Sequence, residues 1–298
     1  MGRRCVRVPA TGYSRFVRQL RYVVADVFTD EPLTGNQLAV FTDARDLDSL
    51  TMQALAKEMN FAETVFVLPP QAEGADVRIR IFTPSNELPF AGHPTLGSAF
   101  VLAGPLQKIV LRLETGVGVV PVELEREGAT IRFGWMEQPV PAWEPFAEAA
   151  ELLSLLGIER SGLPVELYHL GPSHVYVELA SPAAVVALDP NFAALGRLTK
   201  AGVNCFARDD GRWKSRVFVP GQGVDEDAAT GSGAGPFALH LARHGRIAFG
   251  EEIEISQGAE IGRPSKLFAR VDGSAEQVER VLVGGSAVIV ARGEFRIP

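Results

Sequence analysis

Phe82-Thr83-Pro84-Ser85-Asn86-Glu87-Leu88-Pro89-Phe90-Ala91-Gly92-His93-Pro94-Thr95-Leu96-Gly97 is the stretch whose reading decides the fold. The residues before it, 76–82 (DVRIRIF), alternate charged and apolar side chains as a half-buried strand does. The residues after it, 94–103, are apolar and open with a proline, which predicts a short buried helix. Strand, tight turn and helix start leave free backbone N–H groups, and a glycine beside them makes an anion site that needs no basic side chain. His93 stands in that mouth. A single turn of this kind is equally compatible with a merely buried turn.

A second copy favours the functional reading. Residues 224–236 (VDEDAATGSGAGP) follow a strand at 215–219 and precede an apolar helix expected over Phe237 to Arg243. Two such units predict two similar halves, each with its own core, offering helix N-termini to a shared cleft. With 298 residues, 46% of them hydrophobic, the chain is long enough for both.

Net charge is −7, with no clustered basic and aromatic surface, so nucleic acid is not an expected partner. A small anionic substrate would be held by local dipoles against that overall field. Cys5 and Cys205 lack the spacing of a zinc site or a disulfide framework and fit a reducing cytoplasm. No apolar run is long enough to cross a bilayer as a helix. Residues 1–20 carry five arginines and no acid, and read as a flexible basic leader.

Further along, 22–28 and 38–41 read as strands, and Asp48 or Ser49 caps a helix reaching Met59. Glu63 follows among apolar neighbours, where a carboxylate's raised pKa would suit a proton shuttle; the alternative is a cap or a solvated side chain. Three strands within 109–135 form a meander, and the proline-rich run from Gln138 to Pro145 marks a domain junction. A helix over Phe146 to Leu156 ends at Gly157. Residues 167–179 read as one bent strand whose His169 and His174 either line a pocket or sit satisfied in the core. Cys205 reads as a core residue, and Asn86-Glu87 as a site pair or a buried turn hydrogen-bonded to its own backbone. The architecture is α+β, mostly β, with one central helix per half.

His93, Asp227 and Glu63 are the acid/base groups near the two cradles. Motifs for acyl transfer, zinc hydrolysis, dinucleotides and P-loops are missing from the sequence, which leaves cofactor-free and metal-free proton transfer next to an activating group.

Residues 60–66 (NFAETVF), 80–97 (RIFTPSNELPFAGHPTLG) and 226–236 (EDAATGSGAGP) resemble the PhzF family, as do 203–206, 212–216, 240–245 and 257–264. The resemblance runs from about Tyr22 to near the C-terminus. It implies a diaminopimelate-epimerase-like fold, with two pseudo-symmetric halves, each a β-barrel around a central helix, and the active site between them. The halves would be 21–137 plus 287–298 and 138–286, in a homodimer. It further implies a cofactor-free isomerase of trans-2,3-dihydro-3-hydroxyanthranilate, a proton leaving C3 and one arriving at C1. Glu63 would shuttle the proton, His93 and Asp227 would hold the hydroxyl and amino groups, and Ser232 with the backbone of Gly92 and Gly231 would bind the carboxylate. Ala62 stands where the family commonly has serine, so one substrate contact would be lost. Neither cradle holds a cysteine, which argues against two-thiol racemisation. An isomerase of another small cyclic acid and a non-catalytic small-acid binder remain the alternatives.

Overall fold

The computed structural model describes residues 18–220 and 224–297. The first half contains β1 (Arg18–Val27), β2 (Asn36–Phe41), α1 (Ser49–Met59), β3 (Glu63–Leu68), β4 (Val77–Phe82), β5 (Glu87–Leu88), α2 (Gly92–Leu106), β6 (Val110–Thr115), β7 (Gly118–Glu127) and β8 (Thr130–Gln138). The second contains β9 (Ala142–Pro145), α3 (Ala149–Leu156), β10 (Glu166–His169), β11 (Ser173–Glu178), α4 (Pro182–Val186), α5 (Phe192–Leu198), β12 (Gly202–Asp209), β13 (Arg212–Phe218), β14 (Glu226–Asp227), α6 (Gly231–Arg243), β15 (Ile253–Gln257), β16 (Ser265–Gly273) and β17 (Val278–Gly285). The last strand, β18 (Ala287–Ile297), returns to the first half and pairs with β1.

Strand pairing repeats. One half runs β18-β1-β2-β3-β4-β6-β7-β8, parallel at β2–β3 and β4–β6 and antiparallel elsewhere, with β5 hung on β4. The other runs β9-β10-β11-β12-β13-β15-β16-β17, parallel at β11–β12 and β13–β15, with β14 hung on β13. The two are stitched by β8 and β17, antiparallel, Gln138 opposite Val281 and Gly134 opposite Gly285. Each run wraps one helix. α2 packs on β1, β2, β3, β6 and β8, and α6 on β11, β16 and β17. A helix enclosed on all sides has no polar face to present, which is why 92–103 and 231–242 are buried almost without interruption. α1 instead lies outside its sheet and buries one stripe, Met52, Leu55 and Ala56, with Asp48 as its N-cap.

The halves do not have separate cores. The main apolar cluster runs continuously from Val27 and Leu38 through Leu96 and Phe100 to Phe237, Leu239 and Val283, and only smaller clusters under α1 and under α3–α5 stand apart. The expectation of two separate cores is corrected for this reason: each run wraps its own helix, but the apolar cluster passes unbroken between them where α2 meets α6 and β8 meets β17.

Three local expectations also change. α6 begins at Gly231, six residues before the expected start, and carries Pro236 inside it. A proline there removes one internal hydrogen bond, but close packing fixes the segment: a Cβ on Gly235 would lie 2.3 Å from Gln138 Oε1. Residues 167–179 form a hairpin, β10 and β11 turning at Gly171 with φ of 78°, not one bent strand. The leader expected over 1–20 is shortened, since Arg18–Leu20 pair with β18; its remainder, 1–17, lies outside the described residues.

Candidate active site

The starts of α2 and α6 abut. A Cβ on Gly92 would lie 2.3 Å from Gly231 C and Ser232 N, and one on Gly231 would lie 2.9 Å from His93 N. Only glycine permits that approach. Neither start is capped by a side chain: Ala91 has none to offer, and the Thr230 hydroxyl is turned to Asp227. Two positive helix ends are thus brought together, a repulsive arrangement that an anion relieves.

Glu63 opens β3 directly after the left-handed Asn60 that ends α1. Its Oε2 lies 3.4 Å from His93 Nε2, and neither atom has a hydrogen-bond partner among the described residues. Burial, with the nearby Asp227 charge, pushes the Glu63 carboxyl up to about 8. Burial pushes His93 down to about 3, countered in part by a backbone hydrogen bond at Gln37, so its ring is neutral near pH 7. The Asp227 carboxyl is raised because desolvation outweighs its hydrogen bonds. It accepts from Asn36 Nδ2 at 2.7 Å and Thr230 Oγ1 at 2.7 Å. Gln257 backs this corner, donating to Thr230 Oγ1 at 2.9 Å and to the Asp227 carbonyl at 2.8 Å.

A cleft between the halves is lined by Glu63, Asp227, Thr230, Ser232 and His174 and by apolar Ala62, Leu88, Ala91, Pro172, Val219 and Val224. It joins two carboxyls, the Thr230 and Ser232 hydroxyls and an imidazole to walls suited to a small ring. Of the residues expected at the site, Glu63, Asp227, Ser232 and Ala62 lie on this wall. His93 is 3% exposed and stands behind Glu63, and Gly92 and Gly231 form the contact between the helices. Asn86 and Glu87 take the turn alternative, although the turn is exposed and not buried: Thr83 Oγ1 bonds Asn86, and Glu87 holds Arg80. His169 is exposed and bonded to Ser173 and Glu144, whereas His174 is buried on the cleft wall. Cys205 is in the core, its thiol pushed up by burial.

Asn36, the first residue of β2, joins the site from a position that the sequence does not distinguish. Its Nδ2 donates to Asp227 Oδ1 and, at 3.0 Å, to the Ala229 carbonyl, and lies 3.2 Å from His93 Nδ1, so one amide spans acid/base groups of both halves. Arg263 fixes the loop before it, donating to Asp26 Oδ1 at 2.6 Å and to the Thr34 and Gly35 carbonyls. Nothing nearby in sequence marks Asn36, because Asp227 is 191 positions away.

A separate cluster, Glu166, His240 and His244, has metal-ligating atoms within 4.8 Å of one another. Its carboxylate already accepts from Arg243 Nη1 at 2.7 Å, and a guanidinium beside it opposes a second cation. The cluster ties the end of α6 to β10 and touches none of the cleft residues named above.

A family model described as phenazine biosynthesis-like protein matches residues 25–293. The trans-2,3-dihydro-3-hydroxyanthranilate isomerase of Pseudomonas aeruginosa is 53% identical over 92% of this chain and 98% of its own. A PhzF-family phenazine biosynthesis protein of Bacillus anthracis superposes with a TM-score of 0.80 at 27% identity, covering 94% of this chain and 100% of its own. A hydroxyproline epimerase of Agrobacterium vitis shares the fold, with a TM-score of 0.67 at 14% identity over 94% of this chain and 93% of its own. The mostly β fold read from the sequence, and the epimerase-like form of it implied by the resemblance, are therefore present, and the chain belongs to the PhzC-PhzF family.

Proposed function

We propose that the protein is a cofactor-free isomerase that converts trans-2,3-dihydro-3-hydroxyanthranilate to its aminoketone tautomer in phenazine biosynthesis, with Glu63 as the acid/base. The observation that carries this reading is Glu63 itself, a carboxyl in the cleft held near about 8, beside the abutting starts of two helices. The relative at 53% identity, which bears that activity's name, supports the choice of substrate.

The substrate carboxylate faces Ser232 and the α2 and α6 starts, where N–H dipoles offset its charge. That placement brings the ring against the apolar wall. Glu63, as carboxylate, takes the proton from C3; the ring electrons shift and C1 receives a proton from the Glu63 carboxylic acid. The net change moves one hydrogen from C3 to C1 and shifts both ring double bonds, giving an enol at C3 that becomes the ketone, so no oxidant or leaving group is required. A pKa near neutrality lets one group both accept and return the proton. The Asp227 corner holds the hydroxyl and amino groups, while neutral His93 faces the Glu63 carboxyl from behind the cleft wall. Ala62 supplies no hydroxyl, which affects affinity more than proton transfer.

The same reading places the division of the chain at 21–137 plus 287–298 and 138–286, which the repeat of strand pairing supports. It makes the active form a homodimer in the cytoplasm, on the strength of family resemblance and a buried free Cys205.

Incubating wild type and Glu63→Gln with the substrate in deuterated water tests the reading. Loss of substrate absorbance with wild type only, and a deuterium content set by exchange at Glu63, is expected. No turnover by folded wild type would refute it.

A further inference from the structure

Ser232 is placed to bind an anion, yet a hydroxyl can donate only one hydrogen, and nothing in the chemistry of serine decides where it goes. Its Oγ lies 3.1 Å from His174 Nε2, both residues buried. On the far side of that ring, His174 Nδ1 lies 3.4 Å from Asn204 Nδ2. The Asn204 amide is itself oriented, because the same Nδ2 donates to the Gly202 carbonyl at 3.3 Å. An amide nitrogen is a donor only, so His174 Nδ1 accepts and its single ring hydrogen sits on Nε2. That hydrogen points to Ser232 Oγ. The serine oxygen is then an acceptor from His174, and its own hydrogen is free for the cleft.

We infer that His174 is a positioning residue, which by donating from Nε2 to Ser232 Oγ commits the serine hydroxyl as a donor to the carboxylate of the ligand. The inference rests on the isomerase reading only for the identity of that ligand. Burial pushes His174 down to about 4, so the ring remains neutral and keeps this tautomer near pH 7. The charged and titratable groups on the same cleft wall are Glu63 and Asp227.

The fold makes room for this ring at the expense of a symmetric acid. In β2 and β3 Leu38 stands opposite Glu63; in the equivalent pair β11 and β12 His174 stands opposite Gly202. A Cβ at Gly202 would lie 2.8 Å from His174 Nδ1. The second half thus has glycine where the first has its acid, and uses the space for the imidazole that sets Ser232. One pole is built for the proton and the other for the carboxylate.

The test has two arms. Nitrogen-15 NMR of the ligand-free protein, with His174→Gln used for assignment, is expected to show His174 protonated at Nε2 and bare at Nδ1; protonation at Nδ1 overturns the inference whatever the enzyme's substrate. In kinetics with trans-2,3-dihydro-3-hydroxyanthranilate, His174→Leu is expected to raise KM about tenfold with little change in kcat, the size of one hydrogen bond to a charged group. His174→Gln, which keeps a side-chain N–H donor, is expected to restore most of the loss. The double variant with Ser232→Ala is expected to be no worse than Ser232→Ala alone. Multiplying effects, or a fall in kcat without change in KM, would overturn it. If wild type turns over no dihydroanthranilate, the isomerase reading fails by itself. The NMR arm still decides the tautomer, and binding of anthranilate by the same variants, measured by calorimetry, decides the coupling.

Discussion

The two halves share a scaffold and divide the chemistry. Arg80 of β4 pairs with Glu87 of β5 at 2.6 Å and lies over Phe82; Arg216 of β13 pairs with Glu226 of β14 at 2.7 Å and lies over Phe218. The register makes these pairs equivalent: Phe82 faces Glu87 as Phe218 faces Glu226. One residue on, the likeness ends, for Leu88 stands where the second half has Asp227, and Glu63 where the second half has Gly202. The second residue of α2 is His93 and that of α6 is Ser232. A repeat therefore preserves what holds the turn and helix start together and lets the cleft-facing positions diverge. Two carboxyls reach one cleft from positions that are not related by the repeat, which suits moving a proton between two carbons better than mirror-image abstraction at one.

The sharpest way to break this comparison is at the acid. Glu63→Gln is expected to lower kcat about a thousandfold, within the range for loss of an acid/base group, in single-turnover assays. Its equivalent, Gly202, has no side chain to remove, so no comparable loss can come from the second half at that place. Retention of activity in Glu63→Gln would end the assignment of the acid.

The scaffold pairs should differ in energy although they match in geometry. Arg216 and Glu226 keep 9% and 5% of their side-chain surface, against 18% and 42% for Arg80 and Glu87. Arg216 also donates to the Val186 and Leu188 carbonyls, tying the end of α4 to the sheet. Glu226→Ala leaves a buried guanidinium and is expected to cost about 3–5 kcal/mol in urea unfolding. Glu87→Ala should cost under about 1 kcal/mol. Equal losses would show that the two turns are energetically as well as structurally alike.

With Glu63 held up at about 8, kcat/KM should rise roughly tenfold between about pH 7 and pH 9 as the carboxylate forms. The stability sign is opposite. A carboxyl whose folded pKa lies above its ordinary 4.5 stabilises the fold fully below that value, and this contribution is lost as pH rises through about 8. Glu63→Gln should therefore raise Tm above wild type at about pH 9 and not at about pH 4. A wild-type rate that is flat over this range would remove the basis for a near-neutral acid. The smallest expected effect is at the neighbouring wall position: Ala62→Ser should lower KM by about threefold at unchanged kcat, the worth of one exchanged hydrogen bond.

Much of this was legible along the chain because it depends on local chemistry. Alternation in residues 77–82, the Asp48 cap of α1, the left-handed Gly157 that ends α3 and the small residues at both helix starts all act within a few positions of themselves. Glu63, Asp227 and Ser232 could be singled out for the same reason, each sitting in a stretch whose neighbours made a polar group conspicuous. What tertiary structure alone decided depends on groups distant in sequence meeting in space. Packing against Gln138 carries α6 through Pro236; the β8–β17 seam merges two expected cores into one; Asn36 and His174 become site residues only because Asp227 and Ser232 are folded onto them. A side chain's type sets what it can donate or accept, but only the folded chain sets which partner is within 3 Å or so of it.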